Sequence, residues 1–287
     1  MSPFELVEPR SLRAAIGLLD PDDASVRAIA GGTAVMLMMK AGVFRPRRLV
    51  SLRAIESRFS GIDTGPGGEL RIGAMTPLAV LERSAVVRRE WPVIARTLAT
   101  LSNVRVRNVA TVGVHLAHAD PHMDLPPVLS VLGARVTIAG PAGERTVPVE
   151  SLSTGYYETV LRRDELITTL TVPPQGRKRA AYLKCTVRSA DDWPALGIAV
   201  ALEMDGAAIR DAAAVISAAT DKPTRLAAAE GLLRGASLDE ATIARAGEAA
   251  AEGLDIVGDA HGSASYKKQL LRVYFGRAVR AAAKGAA

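Results

Sequence analysis

The seventeen residues from Thr111 to Pro127 (TVGVHLAHADPHMDLPP) restrict what this chain can fold into more than any other stretch. They hold three of the four histidines, two aspartates and three prolines, between segments that read as ordinary apolar structure. Pro121 argues against a helix through the histidines, because a proline removes a backbone hydrogen bond and clashes with the preceding turn. In a chain that is 48% hydrophobic, so polar a strip has to be satisfied by solvent, a ligand or a metal. It predicts a turn-rich connection set between apolar elements.

Upstream, residues 4–7 form a short extended start. Ser11 reads as an N-cap before Leu12, Ala15, Ile16 and Leu19, and Pro21 stops that helix. A buried strand over 26–30 runs into Gly31-Gly32-Thr33, and a helix over 34–40 follows, closed by Gly42. A short strand covers 49–52. From about residue 56 a second unit begins, with a strand over 70–74 and helices opened by Thr76-Pro77 and Trp91-Pro92, the latter ending near Leu101-Ser102. Beyond the strip, strands are predicted over 134–139 and 165–172.

Pro173 to Arg179 marks a domain boundary. It places one unit at 1–176, divided at about residue 55 into two α/β subdomains, and another at 177–287. The second unit has strands over 181–187 and 197–204, then an Asp205-Gly206 hairpin turn into a strand near 212–218. Helices follow over 225–233, after a Ser237/Glu240 capping box, and at the C-terminus with Leu270, Leu271, Tyr274, Phe275 and Ala278 on one face. Strands followed by helices imply an α+β class: two α/β subdomains, then an α+β domain of antiparallel sheet plus helices.

Composition narrows the function. A net charge of +6 is compatible with nucleic acid, but the arginines are dispersed, aromatics are only 4%, and no basic run is interleaved with stacking residues. One cysteine, Cys185, excludes a disulfide framework and a four-thiolate cluster, and reads as a small buried residue. The opening residues MSPFELVEPR lack a charged stretch followed by an apolar run, so no secretory signal is expected. No apolar segment is long enough to span a bilayer, and a cytoplasmic protein is expected.

Two stretches carry candidate chemistry. Strand, Gly31-Gly32-Thr33, helix is a physical phosphate cradle: glycine permits close approach and positive φ, and the helix start offers unpaired N–H groups. A tight turn without a ligand would look the same. The third glycine of the nicotinamide fingerprint is missing, which disfavours a Rossmann site. The strip allows three readings. Its histidines at 115, 118 and 122 have metal-ligand spacing on a helix, which Pro121 opposes. It could be a solvated loop. Or it could be a cofactor loop, with Thr111 and Gly113 as donors, Asp124 accepting from sugar hydroxyls, and His118 or His122 against a phosphate or a partner.

Considered together, Ala30-Gly31-Gly32-Thr33, Thr111-Val112-Gly113 about eighty residues later, and Ala117-His118-Ala119-Asp120-Pro121 leading to Asp124-Leu125-Pro126 resemble the FAD-binding medium subunit of molybdenum hydroxylases. That group includes carbon monoxide dehydrogenase and xanthine dehydrogenase. Tyr182-Leu183-Lys184 and Gly262 to Lys268 resemble the family's C-terminal domain, so the likeness covers essentially the whole chain. It implies FAD held between the two subdomains. By this resemblance Ile29, Ala30, Gly31, Gly32, Thr33, Ala34 and Val35 wrap the pyrophosphate, and the loop with Thr111, Gly113, Val114, His115, Ala117 and His118 packs beside the flavin. Asp124 bonds the sugar-like chain, Lys184 lies near the polar edge of the ring, and Leu101, Ser102 and Leu166 or Ile167 line the flavin pocket.

The family usually places a second glycine where this chain has Val114, and a Cβ there is expected to oppose positive φ or press on the cofactor. The resemblance implies no catalytic side chain and no metal in this chain. One cysteine cannot hold an iron–sulfur cluster, so a molybdenum-cofactor large subunit and a 2Fe-2S small subunit are expected as partners, in a dimer of heterotrimers. Two competitors stand beside the electron-transfer reading: an assembly or interaction subunit that has lost FAD, motivated by Val114, and a metal-dependent hydrolase using the histidines.

Overall fold

The computed structural model describes residues 2–285. The first sheet is parallel: β1 (Glu5–Val7) and β2 (Val26–Ile29) flank β3 (Arg48–Ser51). Helices α1 (Leu12–Gly17) and α2 (Thr33–Lys40) make the crossovers that parallel neighbours need. Ser11 caps α1 by accepting from the Ala14 amide at 3.1 Å. Leu12, Ala15 and Leu19 pack with Val26 and Val50 in a small core that also takes in Phe59, Ala139 and Leu166.

The second sheet has five strands in the order β4 (Ile62–Thr64), β5 (Leu70–Gly73), β10 (Leu166–Val172), β6 (Arg135–Gly140) and β7 (Gly143–Pro148), all antiparallel. A small hairpin, β8 (Ser153–Gly155) and β9 (Glu158–Thr159), precedes β10. Six helices lie between β5 and β6: α3 (Leu78–Arg83), α4 (Ala85–Glu90), α5 (Pro92–Ala99), α6 (Val104–Val109), α7 (Val112–His118) and α8 (Leu125–Val131). Every residue of α8 is buried. Such a helix is apolar all round and must be enclosed on all sides. It packs on α5, on the turn following β7, and on three strands of the next unit.

Those strands belong to a four-stranded antiparallel sheet, β11 (Lys178–Cys185), β12 (Leu196–Asp205), β13 (Ala208–Ser217) and β14 (Thr224–Arg225). Gly206 turns the β12–β13 hairpin at φ +60°, a conformation that costs glycine little. Helices α9 (Ala227–Leu233), α10 (Glu240–Glu252) and α11 (Ala264–Lys284) cover the opposite face of this sheet, where Leu271, Phe275 and Ala278 of α11 are fully buried. Among the described residues no helix is long and apolar enough to cross a membrane.

Two local expectations need correction. The histidine strip is partly helical, because α7 runs to His118 and ends with Ala119 in the left-handed region, φ +53°. Pro121 therefore lies outside the helix that it was expected to forbid. The cap of α10 is Asp239, which accepts from the Thr242 amide at 2.8 Å. Ser237 instead forms a bridge with Ala208.

Candidate functional site

The two glycine-bearing turns meet. Gly31 follows β2, and a Cβ placed on it would lie 2.0 Å from the Val109 carbonyl oxygen. Only a residue without a side chain lets the backbones touch there. Gly32 is the N-cap of α2 at φ +75°, with no side chain capping the helix. The first amides of α2 have no partner within the helix and point out of its start. Beyond the contact the turns open into a groove of about 440 Å³.

Gly31, Gly32, Thr33 and Ala34 form one wall, continued by Leu37, Met38 and Val43. The other wall comes from the start of α7. Its backbone is tied to the end of β5: the Val112 amide donates to the Thr76 carbonyl at 3.0 Å and the Gly113 amide to the Ala74 carbonyl at 2.8 Å. Gly113 is thus a packing glycine, because a Cβ would lie 2.5 Å from that of Ala74. Val114 follows within the helix and is absent from the positions with positive φ. A Cβ there meets no backbone objection, and its side chain lines the groove.

Thr111, His115 and His118 line the same wall. Thr111 Oγ1 and His115 Nε2 are buried and have no hydrogen-bond partner among the described residues. Orphaned buried polar atoms are uncommon in folded proteins, and two on residues that line one groove fit a polar ligand. Burial lowers the pKa of His115 to about 4, helped by His118 nearby, and burial also lowers that of His118. Both imidazoles are neutral near pH 7, so they offer hydrogen bonds without added positive charge. The anion-favouring element is the start of α2.

Leu101 and Ser102 line the groove from the turn after α5. Ser102 has φ +53°, and Arg107 holds the turn by donating to the carbonyls of Leu101 and Ser102 and to Glu82 Oε2 at 2.9 Å. The floor is the turn from Asp120 to Asp124, closed by the Met123 amide donating to the Asp120 carbonyl at 3.1 Å. Asp124 Oδ1 accepts from the Tyr182 hydroxyl at 2.6 Å and Oδ2 from Lys184 Nζ at 2.9 Å. Lys184 also donates to the Thr100 carbonyl at 2.8 Å and the Asp192 carbonyl at 3.2 Å. Burial pushes the Asp124 carboxyl up, opposed by the Lys184 ammonium. Lys184 itself does not line the groove.

The structure therefore brings Gly31, Gly32, Thr33, Ala34, Leu101, Ser102, Thr111, Val114, His115, His118 and Asp124 to one groove. Ile29, Ala30, Val35, Gly113 and Ala117 do not line it. Leu166 and Ile167 pack into the cores beneath the sheets. Sequence reasoning missed Tyr157 and Trp193, which line the mouth. An aromatic residue in the polar stretch 189–193 was the available signal. The metal geometry fails at His122, whose two ring nitrogens face the carboxylates of Asp120 and Asp259. No group of three potential metal-ligating side chains converges among the described residues.

Comparison with known proteins agrees with this geometry. A family model described as the FAD binding domain in molybdopterin dehydrogenase matches residues 2–175, and one for the CO dehydrogenase flavoprotein C-terminal domain matches residues 181–282. The carbon monoxide dehydrogenase medium chain of Afipia carboxidovorans is 30% identical over 281 residues, 97% of this chain and 96% of the relative. The nicotine 6-hydroxylase medium subunit of Paenarthrobacter nicotinovorans is 29% identical, with 94% of each chain covered. A solved carbon monoxide dehydrogenase from Hydrogenophaga pseudoflava, lacking the Mo-pyranopterin moiety of its molybdenum cofactor, superposes with a TM-score of 0.95 at 29% identity, over all of this chain and 99% of that one. With both glycine turns on one groove and family models covering nearly its whole length, this chain belongs to the FAD-binding medium subunits of the molybdenum hydroxylases, and is an oxidoreductase subunit.

Proposed function

We propose that this chain is the flavin electron-transfer subunit of a cytoplasmic molybdenum-containing hydroxylase or dehydrogenase. It works beside a molybdenum-binding large subunit and a 2Fe-2S small subunit in a dimer of heterotrimers. The observation that carries the reading is the backbone contact of Gly31 with Val109 at the head of a groove that also holds the orphaned Thr111 Oγ1 and His115 Nε2. Bound FAD supplies a store for two electrons, filled singly from iron–sulfur clusters and emptied to an external acceptor.

The residues present suit that cofactor. The unpaired first-turn amides of α2, from Gly32 to Val35, would hold the pyrophosphate. Thr111 and His115 would contribute uncharged hydrogen bonds, and Leu37, Met38, Val43 and Val114 would keep water from the apolar part. Asp124 would accept from a sugar hydroxyl while its charge stays balanced by Lys184. No side chain is required as a nucleophile or general base. The medium-subunit names of the relatives support partner chains, since one cysteine leaves no cluster site here.

The test is co-expression with the partner chains followed by addition of FAD. A stoichiometric flavin absorbance band that bleaches on addition of substrate is expected. A purified complex that takes up no flavin would refute the proposal.

A further inference from the structure

His122 lies where the groove floor meets the C-terminal unit. Its Nδ1 is 3.0 Å from Asp120 Oδ1 and its Nε2 is 2.8 Å from Asp259 Oδ2. A neutral imidazole has one N–H, so only the imidazolium can donate to both carboxylates. A deprotonated ring would aim a nitrogen lone pair at one of them. With His122 only 9% exposed, water has little room to relieve that contact.

The bonds continue into a closed ring. The Tyr157 hydroxyl donates to Asp120 Oδ2 at 3.0 Å. Lys267, on α11 and fully buried, donates to Asp259 Oδ2 and to the Ala218 carbonyl, each at 2.6 Å. The Ala218 amide donates back to the Pro121 carbonyl at 2.8 Å. Trp193 stacks on the His122 ring at 5.6 Å and 16°, and His261 tilts against it at 5.3 Å. The titratable groups facing His122 are thus Asp120, Asp259, Lys267 and His261, with Asp191 and Asp192 on the Trp193 loop. Two carboxylates, one ammonium and one imidazolium leave the ring without net charge. Burial by itself lowers the pKa of His122, but the bonds to Asp120 and Asp259 outweigh it and raise the pKa.

We propose that His122 is a proton-held clasp: while protonated it ties the groove floor to the C-terminal unit, and loss of its proton frees that floor and the Trp193 loop stacked upon it. The clasp stands on these side chains; its effect on flavin affinity rests on the function proposed above.

Trp193 reports the proton directly, because a stacked imidazolium quenches indole emission more than a neutral ring does. In the full-length protein, tryptophan emission should rise with pH, with a midpoint above the ordinary histidine value of about 6.5. Trp193→Phe should remove the rise and His261→Gln should keep it. His122→Gln should abolish it, and Asp259→Asn should move its midpoint down. A midpoint at or below the ordinary value, or a rise that survives His122→Gln, overturns the clasp. FAD affinity, read by flavin fluorescence, should weaken about tenfold from pH 6 to pH 9, the loss of roughly one charge-assisted hydrogen bond, and should be flat in His122→Gln. A flat wild-type affinity beside a positive Trp193 titration overturns control of the groove. Absence of FAD binding at every pH overturns the proposed function, and the Trp193 titration still decides the clasp.

Discussion

Replacing Lys184 with methionine tests how the groove floor is held. The Lys184–Asp124 pair is 7% and 5% exposed at its side chains and closes at 2.9 Å. Removing the ammonium leaves a buried carboxylate with one remaining donor, the Tyr182 hydroxyl. Breaking such a pair from one side destabilises by about 3–5 kcal/mol. Asp124 can escape part of this by taking up a proton. At pH 7 protonating an ordinary aspartate costs about 4 kcal/mol, from about three pKa units at roughly 1.4 kcal/mol each. The two limits agree, so a loss of about 4 kcal/mol is expected at pH 7.

The pH dependence follows from the direction of the Asp124 shift. A carboxyl whose folded pKa is raised binds more protons in the folded state, so its penalty is absent below the unfolded value and grows as pH rises toward the folded one. Without Lys184 that pKa rises further, and Lys184→Met should lose less stability at pH 5 than at pH 8. Urea unfolding of wild type, Lys184→Met, Asp124→Asn and the double variant provides the assay. The double variant should be more stable than Lys184→Met, because no charge is then buried. A single variant that costs under about 1 kcal/mol, the scale of exposed pairs, or a double variant worse than the single one, would refute this account.

Four further outcomes are expected. Gly31→Ala should destabilise by about 1–3 kcal/mol and abolish FAD uptake, since its Cβ meets backbone that cannot yield; calorimetry and flavin absorbance check both. Val114→Gly should cost about 1 kcal/mol as a glycine within a helix and should not tighten FAD binding; tighter binding by titration would restore the view that this valine obstructs the cofactor. Asp239→Ala should cost about 1 kcal/mol through loss of the α10 cap, whereas Ser237→Ala should leave the urea midpoint unchanged. His115, with its pKa lowered to about 4, should destabilise the protein as pH falls from the unfolded value of about 6.5 toward that number, and His115→Gln should flatten this slope.

Part of the site was legible because its causes are local. Gly31-Gly32-Thr33 between a strand and a helix forces a tight turn whose helix start is bare, whatever packs around it. The strip was harder to read. Pro121 opposes helical backbone at the residue before it and clashes with the carbonyl four residues earlier. A helix ending at His118 with Ala119 in the left-handed region already satisfies both conditions. Proline marked a helix end, and the histidines at 115 and 118 share a groove wall as a result. Gly113 was legible as special, but its reason is contact with Ala74 and not a free amide. The α10 cap was misplaced by two residues because Ser, Asp and Glu near a helix start are all plausible partners, and the strand pairing of Ser237 with Ala208 settled the choice.

From its residues alone the chain committed to strands, helices and two glycine turns, since backbone preference, capping and hydrophobic period act within a few residues. The pairings that turn those pieces into a site lay beyond that range. Lys184 reaches Asp124 across 60 positions and His122 reaches Asp259 across 137. Both contacts exist because α8 is enclosed by apolar packing on every side, which draws the polar lead-in before it against the C-terminal sheet. There, with water excluded, each buried charge has to find its partner in the other unit.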